Sequence, residues 1–247
     1  MKKSLISLAL ALISSVCAED KPVVDPEALA AVNRACAVLS SARQFAVSAE
    51  ITQDVEIAPG TVVQRSKTAC IRVRRPDRFQ VDVRTIEPKR SIFYNGRTLS
   101  VLDHLTGYYG VAEVPPTIDA ALAVMEDKFG ISLPISDILL AKPFGEGPEK
   151  AKSALDLGLD AVGGQNCRHF AFRCELIDWQ VWLTESSVPT IRKVAVVFKT
   201  EENAPRWTAV FSKWDFAPHL PDPVFELAPP AGSTKIEVVP TEADPKN

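Results

Sequence analysis

Two of the three histidines in this sequence lie beside residues with which they could carry out acid–base or nucleophilic chemistry. His169 follows Cys167 by two positions in a segment that alternates like a β-strand, so a Cys–His nucleophile on one face is conceivable. No third orienting group or oxyanion-hole glycine motif accompanies them, and a structural hydrogen-bonding role for His169 is favoured. Asp103 and His104 are adjacent, and neighbours in an extended strand point to opposite faces, so they are not expected to cooperate.

The remaining signatures of catalysis and cofactor binding are absent from the sequence. It contains no G-x-S-x-G nucleophile elbow, no H-E-x-x-H metal motif, no P-loop and no G-x-G-x-x-G dinucleotide motif. Three histidines and five cysteines are too few and too scattered for a rich metal site. With 28 basic against 31 acidic residues, the chain lacks the positive charge of a nucleic-acid-binding protein. We expect a non-enzymatic protein with no cofactor and no metal; a hydrolase that uses His169 is the distant alternative.

The first eighteen residues have the parts of a secretory signal peptide. Two lysines form a positive start, a mostly apolar stretch spans residues 5–13, and Val16 and Ala18 occupy positions −3 and −1 of a cleavage site. The alternative is a lipoprotein with a lipid on Cys17, for which Val16 is a poor preceding residue. We predict export to the periplasm and cleavage after Ala18. No later apolar run reaches the ~18 residues of a spanning helix, so no membrane span is expected in the mature chain.

Four cysteines remain after the signal peptide, namely Cys36, Cys70, Cys167 and Cys174. Export places them in an oxidising compartment, where disulfides are permitted, and four cysteines allow three complete pairings. Seven residues of one strand would separate Cys167 from Cys174 by roughly 23 Å, whereas a disulfide needs Cα atoms within about 7 Å. That pair is therefore disfavoured, and the sequence leaves the other pairings, and free thiols, open.

Hydrophobic spacing predicts one helix, a long β-meander, a helical insert and a second meander. Asp25, Pro26 and an acidic first turn begin a helix that runs to Ala42. From Gln44 the period becomes two, which is typical of a strand with one dry and one wet face. An Asn-Gly pair at 95–96 predicts a hairpin, and a helix is predicted between Thr117 and Gly130, with a further short one opened by Pro134. Five strands follow the insert, at 155–162, 167–175, 179–184, 190–199 and 208–214.

These elements predict an α+β, mainly β, fold. The chain of 247 residues is 46% hydrophobic, which is ordinary for a globular protein. About nine antiparallel strands could form a sandwich, a barrel or a strongly curved sheet wrapped over helices. Two apolar-faced helical segments favour the last, a single curved antiparallel sheet or half-barrel with helices across its concave face. We expect this domain to span residues 19–240, with a disordered tail at 241–247.

Five short strings carry a resemblance to a known family. They are RPDRF (75–79), YNGRTL (94–99), LPISD (133–137), CRHFAF (167–172) and DWQVW (178–182). In these strings, and in their order and spacing, the chain resembles a bacterial family of predicted periplasmic proteins, domain of unknown function 2092. That family is similar in fold to lipoprotein carriers of the LolA, LolB and LppX type, in which a curved half-barrel with helices across its mouth encloses an apolar cavity. The resemblance implies that fold and transfers no catalytic residue.

Two function classes stay open at this point. The first is a carrier or sensor that holds a lipid, an acyl chain or the lipid moiety of a lipoprotein in the half-barrel cavity. The second is a ligand-free envelope protein whose helices fill the cavity and which binds a protein partner. For the first class, the candidate cavity residues are the dry-face positions Phe45, Val47, Ile51, Phe79, Val81, Leu99 and Val101 and the lid positions Leu122, Met125 and Phe129.

Four tryptophans and a short basic run have two interpretations each. Trp179, Trp182, Trp207 and Trp214 all follow the helical insert, where they could serve core packing or line an apolar ligand surface. Packing is favoured. The basic run at 72–75 is interpreted as a solvated face rather than a clamp for a lipid headgroup.

Overall fold

A curved twelve-stranded sheet organises residues 23–85, 89–131, 133 and 135–241, which the computed structural model describes. The strands before the helical insert are β1 (Gln44–Ala58), β2 (Thr61–Arg74), β3 (Arg78–Arg84), β4 (Lys89–Tyr94), β5 (Thr98–Asp103) and β6 (Tyr108–Glu113). Those after it are β7 (Ser153–Val162), β8 (Gln165–Arg173), β9 (Ile177–Thr184), β10 (Ile191–Phe198), β11 (Arg206–Asp215) and β12 (Thr234–Lys235). The helices are α1 (Pro26–Ser41) and α2 (Ile118–Phe129).

The sheet is open, because its strand order begins at β12 and ends at β7 and these two do not pair. The order is β12-β6-β5-β4-β3-β2-β1-β11-β10-β9-β8-β7, and all neighbours are antiparallel except β12 and β6. Leu99 on β5 and Leu183 on β9 belong to one continuous core although six strands lie between them. The sheet must therefore curl over that core, which confirms the predicted mainly β half-barrel.

Helix α1 begins where the sequence predicts. The Asp25 carboxylate accepts a hydrogen bond of 2.9 Å from the backbone of Glu27, and Pro26 occupies the first turn. Ala28, Val32, Ala35 and Leu39 form its buried stripe at a helical spacing of three and four residues. This stripe packs over β7 and β9, so α1 covers the end of the concave face that lies farthest from β12.

Helix α2 and the loop after it form the predicted insert. The Thr117 side chain caps the helix by accepting from the backbone of Ala120 at 3.3 Å, and Gly130 ends it in the left-handed conformation with φ of 61°. The second predicted helix is a single 3-10 turn at Ser136–Ile138. Pro134, which was expected to open it, lies outside the described residues. Within the described residues, no helix combines the length and the apolar character needed to cross a bilayer.

Arg75 holds the insert against the sheet. Its guanidinium donates hydrogen bonds to the carbonyl oxygens of Leu139 at 2.7 Å and Ile138 at 3.4 Å, and it lies 5.9 Å from the centre of the Phe45 ring. Its neighbour Arg74 donates to the carbonyl of Leu220 at 2.9 Å. The interpretation of the basic run as a solvated face was therefore incomplete, since two of its arginines tie the chain together.

Alternation in the sequence does not reveal two of the strands. Strand β6 contains two tyrosines and a glycine and lacks a clear alternation, while β12 is only two residues long. After Ala231 the chain returns to the end of the sheet that lies farthest from β7. There it pairs in parallel with β6 through Thr234 and Tyr108. All four cysteines in the described residues are free thiols.

Replacing Arg75 by Met should lower the free energy of unfolding by ~1–3 kcal/mol, because the buried Leu139 carbonyl loses its donor while the aliphatic stem is retained. Arg97, whose side chain is 82% exposed beside Glu113, offers a matched control. Its replacement by Met should change stability by no more than ~0.5 kcal/mol. Urea denaturation followed by tryptophan fluorescence measures both. Equal changes for the two variants would show that Arg75 does not anchor the insert.

Candidate functional site

The helices leave part of the concave face uncovered, and a cavity of about 560 Å³ remains beside the end of α2. Strands β2 to β6 form its floor, the residues from Phe129 to Leu133 form one wall, and residues 236–238 form another. We call this space the main cavity. Its apolar lining includes Ile92, Leu99, Val101, Phe129, Leu133 and Ile236. Such a concave, mostly apolar space with few polar groups is typical of a small-molecule site.

The C-terminal strap, residues 234–241, completes the main cavity. The backbone of Thr234 donates to Gly107 at 3.0 Å, and that of Ile236 donates to Tyr109 at 2.8 Å. At its far end the backbone of Thr241 donates to the carbonyl of Lys128 at 2.9 Å, so the strap bridges from β6 to α2. The strap carries no long strand, and its position depends on these few hydrogen bonds and on its apolar contacts.

Four charged side chains line the main cavity. Arg90 and Asp103 form an ion pair of 3.1 Å between neighbouring strands. The backbone of Thr106, which donates to the Asp103 carboxylate at 3.1 Å, lowers the pKa of Asp103, and Arg90 adds to this effect. Lys67 reaches the cavity from β2 and is half-buried, and burial lowers the pKa of its ammonium. Glu237 lies on the strap and is exposed to water.

Two smaller spaces lie on the other side of the insert. One of about 100 Å³ is lined by aromatic and aliphatic side chains that include Phe144, Trp179, Trp207 and Phe211. The other, of about 430 Å³, is more polar, and Asp137 borders both. The side chain of Asp137 is exposed at the edge of these two spaces; partial desolvation, and then the charge of Glu126, raise the pKa of its carboxyl.

Two of the four tryptophans line an apolar space, and the other two serve packing. Trp179 and Trp207 line the small aromatic space. Trp214 packs against Phe45 and lies parallel to the ring of Phe216. Trp182 lies on the convex face.

Three of the ten predicted cavity residues line the main cavity, namely Leu99, Val101 and Phe129. The other seven are buried in the packed core, and they are Phe45, Val47, Ile51, Phe79, Val81, Leu122 and Met125. Alternation placed the strand residues on the concave face, as observed, but it does not say what covers each position. A role in binding stays a prediction for all ten.

The sequence reasoning did not identify the residues of the strap or Lys67 as cavity residues. Ile236 and Val238 alternate with polar neighbours, which is a weak strand signal, but their partner strand is far away in sequence. Lys67 shares the face of Ala69 and Ile71 on β2, so the alternation itself carried the signal.

His104 is exposed on the convex face, where it borders a polar cluster with Ser91 and Asp82. Its Nε2 is 2.8 Å from Ser91 Oγ, and the same hydroxyl donates to Asp82 at 2.5 Å. A hydrolytic triad needs the histidine between serine and carboxylate so that it can accept the serine proton. Here the serine lies between the other two and is only 1% exposed, so the cluster stabilises the sheet and has no nucleophile to offer.

His169 is also held in a structural arrangement on the convex face. Its ring stacks on Trp182 with centroids 4.0 Å apart, and its Nε2 lies 3.0 Å from Gln180 Oε1. The predicted neighbour Cys167 is fully buried, and burial raises the pKa of its thiol, which disfavours the thiolate needed for nucleophilic attack. Among the described residues, no group of His, Cys, Asp and Glu side chains is placed to hold a metal ion.

A family profile described as "Predicted periplasmic protein (DUF2092)" matches residues 28–239. This match covers nearly all of the sheet and both helices, and it confirms the resemblance inferred from the five strings. A search of curated proteins found no significant match.

Solved structures of similar fold come from several bacteria. The Mycobacterium tuberculosis lipoprotein LppX is 12% identical, with a TM-score of 0.50 over 77% of this chain and 96% of that chain. LprF from Mycobacterium bovis is 12% identical, with a TM-score of 0.51 over 81% and 99%. The LolA superfamily protein NE2245 from Nitrosomonas europaea is 10% identical, with a TM-score of 0.40 over 81% and 97%. At these identities, the first two show a shared fold.

The close approach of the strap to β6 depends on Gly110. A β-carbon at this position would lie 2.6 Å from Val238 Cγ2. Replacing Gly110 by Ala should therefore loosen the strap, since overpacking costs ~1–3 kcal/mol. The amides of Thr234 and Ile236 should then exchange ~10-fold faster or more in hydrogen–deuterium exchange.

Replacing Val238 by Ala in the same chain should restore slow exchange, because the clashing methyl group is gone. The Val238→Ala variant alone is the control for lost apolar contact. If Gly110→Ala left exchange at both amides unchanged, the strap would not depend on this contact.

Proposed function

We propose that this chain, which belongs to the family of predicted periplasmic proteins (DUF2092), binds one hydrophobic molecule in its main cavity. The molecule is a lipid, an acyl chain or the lipid moiety of a lipoprotein. The protein acts as a carrier or sensor of that molecule and is not an enzyme. The observation that carries this proposal is the unfilled apolar space of about 560 Å³ between the sheet, α2 and the strap.

The size and lining of the main cavity support binding of an elongated apolar molecule. Ligand sites in proteins typically have volumes of ~300–1,000 Å³ and a mostly hydrophobic lining with few polar groups. The main cavity meets both conditions, whereas the aromatic space beyond the insert is too small for a lipid tail. The family that the chain resembles in sequence is similar in fold to lipoprotein carriers, which favours the same class of ligand.

Burial of an acyl chain is strong enough for useful affinity. About sixteen buried methylene groups would contribute ~13 kcal/mol at ~0.8 kcal/mol each. Association itself costs at least ~4 kcal/mol in lost translational and rotational freedom. The remaining ~9 kcal/mol corresponds to a dissociation constant in the micromolar range or below.

The location of the protein follows in part from its family, whose members are described as periplasmic. We extend this to export by the predicted signal peptide with cleavage after Ala18, and to a domain that spans 19–240. Residues 1–22 and 242–247, which include the predicted signal peptide and nearly all of the predicted tail, lie outside the described residues.

A specific feature favours a second candidate function, that of an envelope interaction module. Strand β7 is the last strand of the sheet, and Leu155, Leu157 and Leu159 on it are 40%, 51% and 64% exposed. Apolar side chains on an edge strand are a common place for another protein to bind. This alternative would be favoured if the protein's own side chains filled the main cavity, or if the purified protein carried no lipid there.

Native mass spectrometry of protein purified from a bacterial periplasm without detergent tests the proposal. We expect an additional mass in the range of a fatty acid or phospholipid, which organic extraction removes. If the native mass equals the chain alone, and the protein also fails to bind an added fatty acid or phospholipid, the carrier proposal is wrong and a search for a protein partner follows.

Substitution of Val101 by Glu separates binding from folding. Val101 is half-buried and lines the main cavity, so a carboxylate there should lower the affinity for an added acyl chain at least ~10-fold by opposing apolar burial. Val62, which is 45% exposed near the tip of the β1–β2 hairpin, is the matched control, and Val62→Glu should leave affinity unchanged. Circular dichroism checks that both variants fold. Equal affinities for the two folded variants would exclude the main cavity as the site.

A further inference from the structure

Lys67 is a cation of the main cavity for which the described residues supply no counter-ion. It lies opposite Ile51 on β1 and points to the concave face, where it lines the cavity. Arg90, the other cation in the lining, is neutralised by Asp103 at 3.1 Å. Within the part of the chain that the structure describes, Lys67 takes part in no ion pair and no hydrogen bond of its side chain. Its ammonium is therefore available to a ligand.

Lys67 is the charged group on the β2–β3 side of the main cavity among the described residues. The lining as a whole is balanced, because Lys67 and Arg90 stand against Asp103 and Glu237. The carboxylate of Glu237 lies on the strap, where exposure to water screens it. Arg84 and Glu50 border a neighbouring groove with Lys67 and carry opposite charges. The positive charge that an anion would meet on the β2–β3 side is therefore that of Lys67.

A half-buried ammonium without a partner is destabilising until an anion arrives. Moving a charge from water into an apolar environment costs free energy unless the charge is paired and hydrogen-bonded. The lowered pKa of Lys67 has the same cause, which is loss of hydration. A bound anion would compensate the ammonium for its lost hydration, whereas a neutral ligand would displace more water without supplying a counter-charge. The site thus discriminates between ligands by the charge of their polar end.

We propose that the main cavity selects an anionic amphiphile, whose carboxylate or phosphate head binds Lys67 Nζ while its apolar tail runs over Leu99 and Val101. This inference rests on the proposed function and specifies the ligand class. Carboxylate and phosphate share the chemistry that an ammonium recognises, and a fatty acid and a phospholipid are the two sources of these heads. The experiment separates them.

Three ligands with twelve carbon atoms each test the proposal. Laurate, dodecyl phosphate and dodecanol carry different heads on this chain, whose twelfth carbon is the carboxylate carbon in laurate, and each is tested for displacement of a neutral fluorescent dye from delipidated full-length protein. We expect at least one of the two anions to bind ~10-fold tighter than dodecanol, the scale of one charge-assisted hydrogen bond. A preference for laurate indicates a fatty acid, and a preference for dodecyl phosphate indicates a phospholipid.

Substitution at Lys67 identifies the group responsible. Lys67→Gln should remove the preference for the anion and leave the affinity for dodecanol unchanged, while Lys67→Arg should retain the preference. Lys150, an exposed lysine paired with Glu146 on the far loop, is the matched control, and Lys150→Gln should behave like the wild type. Circular dichroism confirms that the variants fold.

The pH dependence offers a second readout. The anion preference of the wild type should fall as the pH rises through the lowered pKa of Lys67, because the ammonium loses its charge. In Lys67→Arg the preference should persist over the same range, since a guanidinium stays protonated. Arg90, Asp103 and Glu237, which also line the cavity, are present unchanged in Lys67→Arg, so this variant separates their contribution from that of Lys67.

The outcomes separate this inference from the proposed function. If none of the three ligands displaces the dye from the wild type, both the proposed function and this inference are wrong. If all three bind equally, or if Lys67→Gln keeps the anion preference, the main cavity still binds apolar molecules but Lys67 does not select their charge, and the inference is overturned.

Discussion

An open, strongly curved sheet has one concave apolar face, and the rest of this structure depends on the need to cover it. Strands from both ends of the sheet contribute to a single core. A closed barrel would fill its interior with its own side chains, but an open sheet needs other elements to exclude water. In this chain two helices, the loop of the insert and a short C-terminal strap do so. They differ in length and apolar surface, so they cover the face unequally.

This unequal cover produces the candidate site. Over β7 and β9 the stripe of α1 packs directly on the sheet. Over the middle of the sheet, Arg75 draws the carbonyls of the insert onto the end of β2, and Phe45 lies beneath it. Toward β6 only the end of α2 reaches the cavity, where Phe129 contributes to one wall and the strap forms the other. The main cavity is therefore the part of the concave face that the two helices leave largely uncovered.

The polar chemistry of the molecule is distributed in a way that suits binding rather than catalysis. His104 and His169 lie on the convex face, each held by hydrogen bonds to neighbouring side chains. On the concave face the cavity carries the Arg90–Asp103 pair, the water-exposed carboxylate of Glu237 and the ammonium of Lys67, which has no counter-ion among the described residues. A mostly apolar space with an unpaired ammonium at its wall can orient an amphiphile, because the tail and the head each have a distinct partner.

Local features of the sequence determined the elements and the class of the fold. The cap at Asp25, the stop at Gly130, the Asn95 turn and the alternation of β1 depend on neighbours in the chain, so they could be predicted without a structure. Alternation also determined which side chains face inward. Only the tertiary structure decided that Phe45 is packed core while Leu99 lines a cavity, because burial depends on what other segments lie above each residue. The strap shows the same limit, since its weak alternation cannot identify β6, which is distant in sequence, as the strand it pairs with.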